Sequence, residues 1–291
     1  MNKQISAEQV VAQLCDGMTI GIGGWGPRRK PMSLVREILR SDLRDLKIVS
    51  YGGPEVGMLC AARKVRELVY GFVTMDAIPL EPYFRKAREA GEIKVTEYDE
   101  GMFEWGLRAA GMRMSFLPTR CGLATDVIAR NVELKTIRSP YEDGEVYVAM
   151  PALKLDVALL HVNESDRLGN TLINSADPLF DHLFARAADQ CFISTDILHD
   201  RLELDEDSAR RNFFERYLVK GVVHAQYGAH PTYSGPDYGW DIAHLKRYSA
   251  SASESGGWDA YRGEYIECGE AEYLKKVGGA EKIAQLPLPI F

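Results

Sequence analysis

The sequence predicts an α/β fold: an open, largely parallel sheet with helices on both faces, followed by a C-terminal helical wrap. Two observations predict it. Short β-rich runs alternate with amphipathic helical patterns through the first 220 residues, as βαβ units do. Several of the strand-like runs also end in glycine or a polar residue, at Gly23-Gly24, Gly52-Gly53, 99–101 and 163–165. That edge of a parallel sheet is where ligands bind.

The elements follow in order. "SAEQVVAQLC" reads as a helix with Ser6 as N-cap and Glu8 and Gln9 in its first turn. "MTIGIGG" (18–24) is a buried strand, "MSLVREILRS" (32–41) an amphipathic helix behind Pro31, and "LKIVSYGG" (46–53) the next strand. Further strands are expected at 67–75, 92–101, 114–120, 156–165 and 190–198. Helices are expected at 55–66, 81–90, 102–111, 177–188 and 206–217. From about Gly221 the chain becomes rich in Tyr, Trp, Gly and Ser, with helical patterns at 238–253, 258–266 and 270–277. We read 1–291 as one domain, with an α/β core over 1–220 and a wrap over 221–291 that faces a partner, since exposed aromatics mark interfaces. About 60 residues is short for an independent core.

Bulk composition narrows the function. The 291 residues carry 35 basic and 42 acidic side chains, a net charge of −7, which argues against a general nucleic-acid or anionic-membrane binder. The five cysteines are scattered without a C-x-x-C pair, and the start of the chain is not signal-like, so a reduced, cytoplasmic setting is expected. No apolar run reaches the roughly 20 residues of a membrane span.

The loop "GIGGWGPRRKP" (21–31) lies between a strand and a helix. Its spacing is neither that of a dinucleotide fingerprint nor of a Walker A loop. Its glycines offer either a tight turn with positive φ or backbone N–H donors for a carbonyl oxygen gaining charge. Arg28, Arg29 and Lys30 read either as an anion-receiving set or as a solvated loop. The six histidines show no metal-ligand spacing, no metal is expected, and His161 reads as a satisfied core or interface residue. There is no G-x-S-x-G elbow. In "DEGMFEWGLRAAG" (99–111) one carboxylate, Glu104, sits between Phe103 and Trp105. It reads as a first-turn glutamate favoured by the helix dipole, as an ion-pair partner, or as an acid/base in an apolar pocket.

"DGMTIGIGGWGPRRKP" (16–31) resembles the α-subunit signature of the class I coenzyme A transferases: Asp-Gly, an apolar run, then Gly-Gly and an aromatic before a basic, Pro-ending loop. "HVNESDRLGN" (161–170) resembles their second shared stretch, and "GAHPTYSGPDYGWDIAHLKRY" (228–248) is similar to the glutaconate CoA-transferase branch. Trp25 stands where transferases usually carry Phe, and Arg29 where the signature carries Gly. The nucleophilic glutamate of the transferases lies in the β half, which this chain does not have.

The resemblance is strongest to a branch of the family that hydrolyses a carbon–carbon bond of the last steroid ring. It implies an acyl-CoA substrate, no permanently bound cofactor, a β-subunit partner of the same family in an α2β2 heterotetramer, and Glu104 as essential base. For that chemistry we read Gly23, Gly24 and Trp25 as oxyanion donors, Arg28 as a substrate-binding residue, and Arg120 either as orienting Glu104 or binding a substrate carboxylate or as a surface or core ion-pair residue. Flanking aromatics that desolvate Glu104 would raise its pKa toward neutrality. The alternatives are a true transferase with its nucleophile on the β partner, a scaffold subunit, and a sensor; a sensor of this type needs an N-terminal DNA-binding helix pair, for which a first strand near Met18 leaves no room.

Overall fold

A computed structural model describes residues 2–78 and 80–289. The first half runs α1 (Ala7–Val11), β1 (Thr19–Trp25), α2 (Met32–Arg40), β2 (Leu46–Gly52), α3 (Pro54–Ala61), β3 (Val65–Val73), α4 (Pro82–Glu89), β4 (Lys94–Glu97) and α5 (Glu100–Gly111). Then come β5 (Phe116–Thr119), α6 (Asp126–Arg130), β6 (Lys135–Arg138), β7 (Val146–Pro151), β8 (Leu155–Asp166), β9 (Thr171–Leu172), α7 (Asp181–Ala187) and β10 (Ala188–His199). The chain closes with α8 (Glu206–Ala209), β11 (Val219–His224), α9 (Ile242–Ser251), α10 (Gly257–Tyr265), α11 (Glu270–Lys276) and α12 (Gly279–Ala284).

The main sheet has the order β11-β10-β8-β1-β2-β3-β4 with every neighbouring pair parallel, and β9 folds back antiparallel on the end of β8. Both faces are covered, and the strands alternate between them as a period of two requires. Ile48, Leu68, Val157, Leu159 and Phe192 join α1 to α4 and the C-terminal helices in one core. Val49, Val69, Ala158, Leu160 and Ile193 join α5, α7 and the small sheet in the other.

The small sheet departs from expectation. β5, placed by sequence among the parallel strands, instead pairs antiparallel with β7 in a three-stranded sheet of order β5-β7-β6. The helix expected over 206–217 shortens to the four residues of α8. β11 crosses the expected division at residue 220 and forms an edge of the main sheet. Five aromatics beyond it are not exposed as expected: Tyr238, Tyr248, Tyr261, Tyr265 and Tyr273 are all buried in the first core. Their rings fill space over the sheet, so these five tyrosines belong to the core.

Candidate functional site

The site begins where β1 leaves the sheet. Its pairing with β2 jumps from Ile22–Ser50 to Trp25–Tyr51, so Gly23 and Gly24 bulge out of the ladder. Gly24 takes φ +73°, and a Cβ there would lie 2.3 Å from the Arg28 carbonyl oxygen. A Cβ on Gly23 would lie 2.4 Å from Asp181 Oδ1. The first glycine therefore admits the Asp181 side chain and the second makes the turn.

Asp181, at the start of α7, holds this turn. Its Oδ1 accepts from the Gly24 N–H at 2.8 Å and its Oδ2 pairs with Arg29 at 3.1 Å. Burial pushes the Asp181 carboxyl up while Arg29 pulls it down. The Trp25 N–H donates to the Arg28 carbonyl at 3.0 Å. This corrects two of the expected oxyanion donors: the amides of Gly24 and Trp25 are engaged inside the chain.

The basic run is corrected as well. Arg29 is 1% exposed and also donates to Ser175 and to the Pro178 carbonyl. Lys30 is fully buried, paired with Glu55 at 2.9 Å and donating to Ser50 and the Tyr51 carbonyl. Neither is a solvated loop residue; their carboxylates are supplied by this chain. Arg28 alone stays at the rim, paired with Asp76 at 3.0 Å and stacked 4.4 Å above the Trp25 ring. With Arg29, Ser175, Asp177 and Tyr233 it lines a cavity of about 260 Å³.

Glu104 lies on α5, which starts at Glu100 behind the N-cap Asp99, two residues earlier than the sequence suggests. It therefore sits in the second turn. Glu100, Glu104 and Arg108 are spaced by four and share one helix face. The Arg108 Nε and Nη2 both donate to Glu104 Oε1, at 2.8 and 2.5 Å. Oε2 has no hydrogen-bond partner among the described residues, and the side chain is 21% exposed.

The flanking aromatics do not enclose this carboxylate, because successive helical residues point about 100° apart. Phe103 is buried 4.4 Å from Tyr51, while Trp105 turns away and donates its indole N–H to the Pro118 carbonyl at 2.8 Å. The dry pocket expected from sequence is corrected to a half-buried ion pair.

The helix face and the glycine turn are nevertheless brought together. The Trp25 indole donates to Glu100 Oε1 at 2.7 Å, and the Tyr51 hydroxyl donates to the Glu100 carbonyl at 2.9 Å. Burial, and then the neighbouring carboxylates of Glu100 and Glu104, hold the Tyr51 phenol well above its usual range, so it is a neutral donor. Arg120 is not part of this cluster. Its side chain is 74% exposed and lies 3.4 Å from Glu145, so it does not orient Glu104; Arg108 does. His161 is satisfied and buried, bonded to Ser194 at 2.9 Å and Asp196 at 3.0 Å. Among the described residues no cluster of His, Cys, Asp or Glu could hold a metal ion, and no helix is long and apolar enough to cross a membrane.

The family model for coenzyme A transferase matches residues 4–224. The chain belongs to the coenzyme A transferase family. Within that family it is 46% identical to the cholesterol ring-cleaving hydrolase IpdA subunit of Rhodococcus jostii, over 95% of this chain and 96% of the relative. It is 44% identical to the cholesterol ring-cleaving hydrolase IpdA subunit of Mycobacterium tuberculosis, over 95% of this chain and 97% of the relative. The crystal structure of glutaconate coenzyme A-transferase from Acidaminococcus fermentans superposes with a TM-score of 0.88 at 25% identity, covering 99% of this chain and 96% of that one. The transferase fold places the glycine turn at the carboxyl edge of the sheet.

Sequence reasoning missed Asp181, Glu55, Arg108 and Glu100. Arg108 and Glu100 had a signal, the i±4 spacing from Glu104. Asp181 had none, since 157 residues separate it from the amide it binds.

Proposed function

We propose that this chain is the base-bearing subunit of a heteromeric hydrolase that opens the last steroid ring of a cyclic β-keto acyl-CoA. The single observation that carries the reading is Glu104. It is held by Arg108 through one oxygen, with the other oxygen unengaged, on the helix face tied to the glycine turn. Full-length similarity to ring-cleaving subunits supports the substrate class.

The chemistry is a retro-Claisen cleavage. Glu104 takes a proton from water as the oxygen adds to the ring ketone, giving a tetrahedral alkoxide. Collapse of that alkoxide to a carboxylic acid breaks the adjacent carbon–carbon bond. The electron pair of that bond passes to the carbon next to the thioester and is delocalised onto the thioester oxygen as an enolate. Return of the proton to that carbon completes the addition of one water. A fixed carboxylate in reach of the attacking water contributes about 10²–10⁴-fold. Arg28, at the rim of the turn and paired with Asp76, is the cation we assign to a substrate carboxylate; Arg120 reaches substrate only if its exposed loop is covered by the partner.

A β-subunit partner of the same family, an α2β2 assembly and a cytoplasmic setting belong to the same proposal, with coenzyme A entering as part of the substrate and no resident cofactor required. The second reading, a transferase with its nucleophilic glutamate on the partner, is favoured by the fit to glutaconate CoA-transferase. Steady-state assay of the complex separates the two. Glu104→Ala is expected to lower kcat by at least 10²-fold with an unchanged unfolding midpoint, and borohydride or hydroxylamine trapping is expected to find no glutamyl thioester on either subunit. A trapped glutamyl-CoA adduct on the partner, with Glu104→Ala still active, would establish the transferase.

A further inference from the structure

A water molecule that adds to a ketone has to be held as well as deprotonated, because a lone pair of its oxygen must face the carbonyl carbon. Glu104 accounts for one O–H of that water. One turn earlier on the same face of α5, Glu100 presents a second carboxylate. Its Oε1 accepts the Trp25 indole N–H at 2.7 Å, and its Oε2 makes no hydrogen bond among the described residues. Glu104 has the same arrangement: Arg108 takes Oε1, at 2.8 Å from its Nε, and leaves Oε2 open. Residues four apart on a helix have Cβ atoms about 5–6 Å from each other, and one water hydrogen-bonded to both carboxylates at about 2.8 Å each spans a gap of that order. Like charges one turn apart disfavour a helix, so the pair stands against its own repulsion.

We propose that Glu100 is a second catalytic residue: its open oxygen accepts the O–H of the attacking water that Glu104 does not take, so the water is clamped between the two carboxylates with a lone pair turned to the ring ketone. The inference rests on the ring-opening reading of the Glu104 site. Glu104 removes one proton as the new carbon–oxygen bond forms. The other proton stays on that oxygen and becomes the hydroxyl proton of the carboxylic acid, so Glu100 transfers no proton and returns unaltered. The fold fixes Glu100 at two points. The Tyr51 hydroxyl donates to its carbonyl at 2.9 Å. The Trp25 ring that meets its side chain packs edge-on against Phe72, 4.5 Å between centroids, with Arg28 4.4 Å over its face. A phenyl ring at position 25 would carry no N–H, so Trp25 is the positioning residue that pins one oxygen of Glu100 and leaves the other for water.

The test uses the complete complex and the ring-closed β-keto acyl-CoA, with Glu104→Ala run in parallel. Glu100→Gln keeps an oxygen for the Trp25 indole and turns an amide N–H donor toward the water, where an acceptor is needed. It is expected to lower kcat by about 10–10²-fold, the scale of a misplaced reactant, with KM within about threefold of wild type. The acid side of the kcat/KM profile is the second readout. The clamp needs both carboxylates ionised, so log kcat/KM is expected to fall with a slope lower by about one in Glu100→Gln than in wild type; a purely structural glutamate leaves the slope unchanged. Trp25→Phe is expected to lose activity as well, and its combination with Glu100→Gln to be no worse than Glu100→Gln alone, as for positions acting through one another. Fully additive losses overturn the role of Trp25. Activity of Glu100→Gln within about threefold of wild type overturns the proposal, as does an unchanged slope. If Glu104→Ala is also fully active, the ring-opening reading itself fails; if Glu104→Ala is dead while Glu100→Gln turns over normally, only the role of Glu100 does.

Discussion

Asp181 shows how one side chain controls the glycine turn. It satisfies an amide that the bulge in β1 has freed and neutralises a guanidinium that is 1% exposed. Removing one member of a buried pair leaves the other uncompensated, at a cost of about 3–5 kcal/mol. Asp181→Ala is therefore expected to lower the urea midpoint steeply. Arg120→Ala breaks a pair whose arginine is 74% exposed, and screening by solvent leaves such pairs worth roughly 0–1 kcal/mol, so its midpoint is expected to stay close to wild type. Equal losses from the two substitutions would contradict the burial argument. The same distinction explains why the run Arg28-Arg29-Lys30 misleads as text. Three adjacent cations look solvated, and only the distant Asp181 and Glu55 turn two of them inward.

At the scale of elements, α4 and α9 are joined through Glu81. This N-cap of α4 accepts from the Phe84 N–H at 2.6 Å and the Tyr248 hydroxyl at 2.7 Å, and α3 passes so close that a Cβ on Gly57 would overlap its carboxyl. Burial raises the Glu81 pKa to about 7 against the pull of those hydrogen bonds. The native state thus holds a proton that the unfolded chain, titrating near 4.5, has lost. Between those values the native state binds more protons than the unfolded one, so stability falls as pH rises from about 4.5 to about 7 and stays reduced above. The contribution is on the order of 3 kcal/mol. Melting curves across pH 5–8 are expected to show this fall in the wild type and to lose it in Glu81→Gln, which stays neutral and keeps an acceptor. An unchanged slope in that variant would exclude Glu81 as its source.

At the scale of the molecule, the sheet is closed on both faces by two cores, yet the Glu104 face of α5 remains 21% open at the carboxylate itself. A carboxylate left this accessible, if it is the proposed base, does not exclude water from the reacting bond, and closing a site strengthens every charge interaction in it. The chain purified alone is accordingly expected to bind acyl-CoA weakly and to turn it over at least 10²-fold more slowly than when its partner is added. Titrating the partner into the isolated chain while following product measures this directly. Full activity of the isolated chain would place the whole site within one polypeptide and remove the need for a second.

How much of this was legible follows from the range of the forces involved. Local pattern determined the alternation of strands and helices, the capping of α1 by Ser6 and the turn at Gly24, because each depends on residues within a few positions of one another. It also singled out Glu104, as a lone carboxylate between Phe103 and Trp105 to which the family resemblance gave a role. It did not reveal the antiparallel sheet of β5, β6 and β7, whose pairings join segments up to 35 residues apart, nor the burial of the C-terminal tyrosines. The partners of Gly24, Arg29 and Lys30 were equally hidden. Those contacts join positions that approach only when the sheet closes and α7 packs on β1, and a buried charge takes whichever countercharge the packing brings. Sequence singled out Glu104; the tertiary fold decided that Arg108 holds it and that Asp181 occupies the Gly24 amide.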